Sequence, residues 1–459
     1  MIKKLEVVRY WLLLGLVFAA PMSFSPSIPF PVFDFPSFRI GLYQILAALF
    51  FLACVPLYMK GFATLSKSRL SVTGTVFIAF TLSVGLATTS TLPRTVLYSA
   101  SLVALLLLGA SGYLTWKQLT KHQRDTALNS LLWSGVVFGS LALVQLLVAS
   151  FDKTALGTLC TGCSDAVFGF PRINLFAAEP QFFANSLFPA LFASFFFRSN
   201  KRLANWALLL TSVAIGLTFS RGAFIAILAG VMAYIVMQIV QKNSIKSFLQ
   251  HCCIMLIGIF VAFALLIGSA TLRYHDTPYI GFNTAVSMLD HLSMGTINIP
   301  QKTPPSAVTN NPAADFTPEG FVEASSNDRL SAASLALNAW NDSLKTMMVG
   351  VGMGNLGAYV NKYIADAPSN LTVYIWYVLV VAELGVVGLT GLLLAPVYLL
   401  WRLVRSDLSI PMLALAFTAT VAFLVQLITF GSYINIMYQY LLIAIFIATI
   451  NQKPALRTL

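Results

Sequence analysis

Charge is scarce in this 459-residue chain: Asp, Glu, Lys and Arg make up 10% of it, and only 16 residues are acidic. A soluble domain carries about a quarter charged residues, so a water-exposed globular surface is excluded. Cysteine occurs five times and histidine four. Cys160-Thr161-Gly162-Cys163 is a close pair, but a structural zinc needs a second pair of ligands, and no such pair lies nearby in sequence. The glycine turn Gly350-Val351-Gly352-Met353-Gly354-Asn355 lacks the Lys-Ser/Thr and the preceding strand of a phosphate-cradling P-loop.

What is abundant is apolar: 58% of the residues are hydrophobic, and the mean hydropathy is +0.81. Runs long enough for roughly 30 Å of hydrocarbon occur at 10–25, 40–59, 72–88, 95–115, 128–150, 178–197, 203–218, 222–240, 252–270, 373–401, 409–430 and 434–450. The sequence therefore predicts an all-α integral membrane protein of about twelve transmembrane helices. The organisation is nine spans in 1–271, a large loop with a partly helical subdomain in 272–372, and three spans in 373–459. Of the 28 Lys and Arg, 18 fall on the side of the N-terminus, which by the positive-inside rule makes both termini cytoplasmic. Most of the +12 net charge is then topological, and no nucleic-acid partner is needed to explain it. Pro21-Met22-Ser23 is a poor cleavage site, so the first run reads as a retained span. Cys160 and Cys163 fall on the outer side, where they are either a local disulfide or two free thiols.

Polar residues concentrate on that outer face. Ser325-Ser326-Asn327-Asp328 offers N-cap residues for a helix over Arg329 to Met347, and Leu330, Ala333, Leu337, Trp340 and Leu344 recur at helical spacing as its packed face. Residues 371–401 would reach about 46 Å as one helix, too long for a single perpendicular span. Placing Leu384 to Trp401 in the bilayer leaves Asn370 to Val381 as an interfacial helix, with Tyr374, Trp376 and Tyr377 as anchors and Glu383 at the interface. Arg221 stands between two apolar runs, where an ionisable group is a functional hypothesis by default. The other reading is a snorkelling anchor. Arg172, Glu179, Arg329 and Glu383 join it as outer-side charges, and His122 and His251 fall in cytoplasmic loops.

Phe219-Ser220-Arg221-Gly222-Ala223, Arg329 with the helix ending in Val349-Gly350-Val351-Gly352-Met353-Gly354-Asn355, and Glu383-Leu384-Gly385-Val386-Val387-Gly388 occur in that order. With them, the chain resembles the O-antigen ligase and polymerase superfamily of bacterial envelope glycosyltransferases. The likeness runs from about Arg172 to Gly391 and includes the large loop after the ninth of about twelve spans. It implies a GT-C-like membrane fold in the bacterial inner membrane, with an active site facing the periplasm. It also implies transfer of a glycan from an undecaprenyl-diphosphate carrier without metal, nucleotide sugar or other cofactor. The partners it implies are the lipid-linked glycan, membrane lipids, a flippase and a chain-length regulator. In that reading Arg221 and Arg329 hold the diphosphate leaving group, and Arg172, Gly352, Asn355, Asn370 and Glu383 line the substrate site. Ligases of the family carry His-Asn where this chain has Ser369-Asn370, and similar Glu-Pro sequences to Glu179-Pro180 recur in polymerases, so the likeness leans to polymerase over ligase. Glu179 is then the candidate for the acceptor's proton, with Asp328, His275 and His291 as alternatives. A secondary transporter would show two related halves and midplane polar groups, and neither is visible.

Overall fold

The computed structural model describes residues 2–22, 26–29, 39–66, 69–151, 172–177, 179–197, 200–243, 245–275, 278–293, 318–361, 373–429, 433 and 436–452. These form an all-α multi-pass membrane protein. Its helices are α1 (Ile2–Phe18), α2 (Leu42–Ser66), α3 (Arg69–Thr88), α4 (Leu92–Gln118), α5 (Lys121–Ser150), α6 (Pro180–Ser186), α7 (Phe188–Phe196), α8 (Lys201–Thr218) and α9 (Arg221–Val240). They continue as α10 (Lys246–Arg273), α11 (Ile280–Ser293), α12 (Pro318–Trp340), α13 (Leu344–Val349), α14 (Leu356–Val360), α15 (Trp376–Val404), α16 (Pro411–Gln426) and α17 (Met437–Ile450). A two-stranded antiparallel ribbon, β1 (Ser27–Pro29) with β2 (Arg39–Gly41), pairs Ser27 opposite Gly41.

Among the described residues, six helices are long and apolar enough to cross a membrane, including α4, α5, α9, α10 and α15, and three shorter apolar ones accompany them. Local signals set several boundaries. Thr120 and Gln123 close a capping box at the start of α5, and Ser220 caps α9 by accepting from the Ala223 N–H. His251, expected in a loop, is buried inside α10 and meets Phe195 edge-on.

At the centre α8 packs against α5, α7 and α10, while α16 packs against α7 and α9. Neither α7 nor α16 exposes a residue. The apolar run expected as one span over 178–197 is in fact two short helices, α6 and α7, separated at Leu187. Hydropathy reports an apolar surrounding, and here that surrounding is protein.

Two other expectations are corrected. The α12 helix does not begin after Asp328 but at Pro318, and it stops at Trp340. Its packed face is only partly the expected one: Ala333 is buried and Trp340 packs on the core, but Leu330, Leu337 and Leu344 face outward, and Ala332, Ala336 and Ala339 are buried instead. The helix packs on α15 and α14, and small side chains on a buried face suit close helix packing.

The break expected near Leu384 is present within α15, as a single residue: Gly385 has φ 67°. Gly385 lies against the Met348 and Val349 backbone, and Gly350, at φ 74°, lies against that of Glu383 and Leu384. Here the backbones touch, with Val351 N–H donating to the Ala382 carbonyl at 2.9 Å and Gly352 N–H to the Glu383 carbonyl at 3.0 Å.

Candidate active site

Four elements deliver charge to one place. The 172–177 segment carries Arg172 and is pinned by Gln145 of α5, whose Oε1 accepts from the Asn174 and Leu175 N–H groups at 3.2 and 2.9 Å. Glu179 is the N-cap position of α6, with Pro180 at the first helical turn, where its missing N–H costs nothing. Arg221 opens α9, and Arg329 lies on α12.

The α8–α9 turn joins these parts. Phe219 takes the left-handed conformation, φ 48°, which is uncommon for a bulky residue and is stored mainly at functional sites. The turn presents the Thr218 and Phe219 carbonyls to Arg172, which donates to them from Nε at 3.0 Å and Nη2 at 3.3 Å. On the other side of the turn, Arg221 Nη1 donates to the His291 carbonyl on α11 at 3.3 Å. The Phe219 ring lies against the His291 ring, with centroids 5.2 Å apart. Arg329 sits over the face of Tyr374 at 4.9 Å, a cation–π contact; Tyr374 was expected only as an interfacial anchor. Gln181 Nε2 donates to Thr429 Oγ1 at 2.7 Å, tying α6 to the end of α16.

The charges act on one another. Burial lowers the Arg172 guanidinium to about 10, with Glu179 opposing the shift and Arg329 and Arg221 adding to it; it remains a cation at neutral pH. Burial raises the Glu179 carboxyl above its ordinary value, and Arg329 and Arg172 pull it back down. Burial lowers the His291 imidazole to about 3, and Arg221, Arg172 and Arg329 add to the effect. Arg172 and Arg329 act on the one carboxylate, and Arg221 acts on both of them, so the group carries an excess of positive charge in a poorly solvated place. The N-terminus of α9 adds its own positive end. Such a site favours an anion with several oxygens.

Glu383 stands in a different cluster, with partners of its own. It is buried; its Oε1 accepts from Gly354 N–H at 2.9 Å and its Oε2 from the Tyr433 hydroxyl at 3.2 Å. Asn355 is engaged likewise: its Oδ1 accepts from Ser90 and Thr91 hydroxyls at 2.9 and 3.1 Å, and its Nδ2 donates to the Val351 carbonyl at 2.8 Å. Gly352 packs its backbone against Gly85 of α3. These groups join the glycine turn to α15, α3 and the start of α4.

Of the residues expected to act together, the structure thus assembles Arg172, Glu179, Arg221 and Arg329, and adds His291. His275 is exposed at the end of α10. Asn370, Cys160 and Cys163 lie outside the described residues. Sequence reasoning missed Tyr374 and Gln181 as site neighbours, because aromatic residues near a membrane surface read as anchors. It reached His291 only as one proton acceptor among several, since nothing in the sequence ties 291 to 221.

No protein-family profile matches the chain. Over 126 residues it is 31% identical to the teichuronic acid biosynthesis protein TuaE of Bacillus subtilis (strain 168). The match spans 26% of this chain and 26% of that relative, so it covers about a quarter of either protein.

Proposed function

We propose that this chain is a metal-independent membrane glycosyltransferase that polymerises polyprenyl-diphosphate-linked oligosaccharide repeat units into a cell-surface polysaccharide. The observation that carries this reading is the convergence of Arg172, Arg221 and Arg329 with Glu179 at one half-buried, net-positive site. In this proposal the bundle makes about twelve crossings of the bacterial cytoplasmic membrane, both termini are cytoplasmic, and the cluster faces the outer side. The relative's role in teichuronic acid biosynthesis supports assembly of an envelope polymer.

The chemistry follows from the charges. The bond from the donor's anomeric carbon to its diphosphate breaks, and the electron pair leaves with the diphosphate. Guanidiniums bind phosphate oxygens in pairs and stabilise that growing charge, the step most in need of help. The acceptor hydroxyl forms the new bond and passes its proton to Glu179, whose buried carboxylate is a stronger base than an exposed one. Serine at position 369, in place of a histidine, favours polymerase over ligase.

Purified protein incubated with a polyprenyl-diphosphate repeat unit alone should give a ladder of longer lipid-linked glycans. Arg221→Ala and Arg329→Ala should leave single repeats unconsumed. Product that appears only when a lipid or protein acceptor is added would make the chain a ligase, and normal ladders from both variants would refute the role of the cluster.

A further inference from the structure

His291 occupies the last turn of α11 and is 7% exposed. Its backbone is already part of the cluster, since its carbonyl receives Arg221, and its ring is held against Phe219. The charges that reach the imidazole come from three elements: Arg221 from α9, Arg172 from the 172–177 segment and Arg329 from α12. Glu179 at the start of α6 interacts with two of those cations. Its own helix places Asp290 beside it, and α10, on which α11 packs, carries Arg273 in its last turn.

An imidazole removed from water and in the field of three cations is neutral at pH 7. The balance reverses when an anion enters. A single opposite charge within about 4–6 Å raises such a group by roughly 1–3 units. A diphosphate brings at least two, and it also neutralises the three guanidiniums that had opposed protonation. The cation that results would sit beside phosphate oxygens, where charge-assisted hydrogen bonds are short and strong.

We propose that His291 is a fourth ligand of the diphosphate, taking up a proton as the anion enters and donating an N–H to one of its oxygens. This rests on the reading of Arg172, Arg221 and Arg329 as the diphosphate site. The proton comes from solvent, imidazole becomes imidazolium, and no bond to phosphorus is made or broken. Binding is thereby linked to proton uptake, so affinity strengthens as pH falls. The same linkage returns the proton when the product diphosphate departs.

The test is calorimetric titration of the full-length protein in lipid nanodiscs with farnesyl diphosphate, in two buffers of different ionisation enthalpy at about pH 7. Their difference gives the number of protons taken up. Wild type should take up about half to one proton more than His291→Gln. The variant should bind about tenfold more weakly near pH 6, with the gap closing near pH 9. His291→Arg, a fixed cation of comparable reach, should bind without the extra uptake, and it carries the comparison if the glutamine variant does not fold. Equal proton numbers in wild type and the variants, with binding intact, overturn the histidine's role alone. Absence of binding in wild type, or binding unchanged by Arg221→Ala and Arg329→Ala, overturns the diphosphate site and this proposal with it.

Discussion

Replacing Gly385 by alanine is the sharpest test of how the glycine turn is held to the broken helix. A Cβ at 385 would lie 2.2 Å from the Met348 carbonyl oxygen and 2.3 Å from its carbon. Both are backbone atoms, so no side-chain rotation relieves the clash. The positive-φ, extended backbone at 385 (φ 67°, ψ −175°) is essentially reserved for glycine and adds about 1–3 kcal/mol for any residue with a Cβ. Relief requires α13 and α15 to separate. That breaks the two backbone bonds at 2.9 and 3.0 Å and the 2.9 Å bond from Gly354 to Glu383. At about 1 kcal/mol for each of the three bonds, together with the backbone strain, the total is about 5 kcal/mol. Thermal unfolding of the detergent-purified protein, followed by tryptophan fluorescence, should show a midpoint lowered by about 10 °C. Gly268→Ala in α10 is the control, because nothing lies within 4 Å of its added Cβ and alanine is the better helix former by roughly 0.5–1 kcal/mol. A Gly385→Ala midpoint equal to that of wild type would refute the backbone contact.

Two further outcomes follow from the charged cluster. Arg221→Lys keeps the charge but loses the paired donors, so polymer formation should fall about tenfold or more, whereas Arg221→Ala should fall about 10²–10³-fold; full activity of the lysine variant, measured by the ladder assay, would mark Arg221 as a simple anchor. Glu179 works as a base only when ionised, and burial raises its pKa. The rate should therefore decline as pH falls through a value above the ordinary carboxylate range of about 4.3, and Glu179→Gln should be about 10²-fold or more slower and lack that limb; an unchanged acid limb in the variant would assign the proton to another group.

Sequence and structure agree where the chemistry is local. Each of the twelve apolar runs contains helix, because a buried backbone must satisfy its own hydrogen bonds. The interruption of 371–401 was legible from length alone, and Gly385 supplies it. Arg172, Glu179, Arg221 and Arg329 were legible as singular charges in an apolar chain. Their grouping with His291 was not, since it depends on the turn at Phe219 and on how α11 and α12 return to the bundle. The face of α12 was misread for a related reason. Helical spacing picks out Leu330, Ala333, Leu337 and Trp340, but it does not reveal which side of the helix meets a neighbour, and of the four Leu330 and Leu337 face outward. Glu383 was read as an interfacial charge, because hydropathy cannot show that Gly354 and Tyr433 wait to bind it.

The two innermost helices carry a consequence for the bilayer. With sixteen residues, α16 is about 24 Å long, shorter than a hydrocarbon core of about 30 Å, and α7 is shorter still. Ringed by protein, neither has to match the thickness of the surrounding lipid. Mismatch strain falls instead on outward-facing helices such as α10, where Leu256, Ile257, Phe260 and Leu272 are exposed. Tilt of that outer layer can follow membrane composition while α7 and α16 stay enclosed, so the depth of the charged cluster is referenced to the protein and not to the membrane.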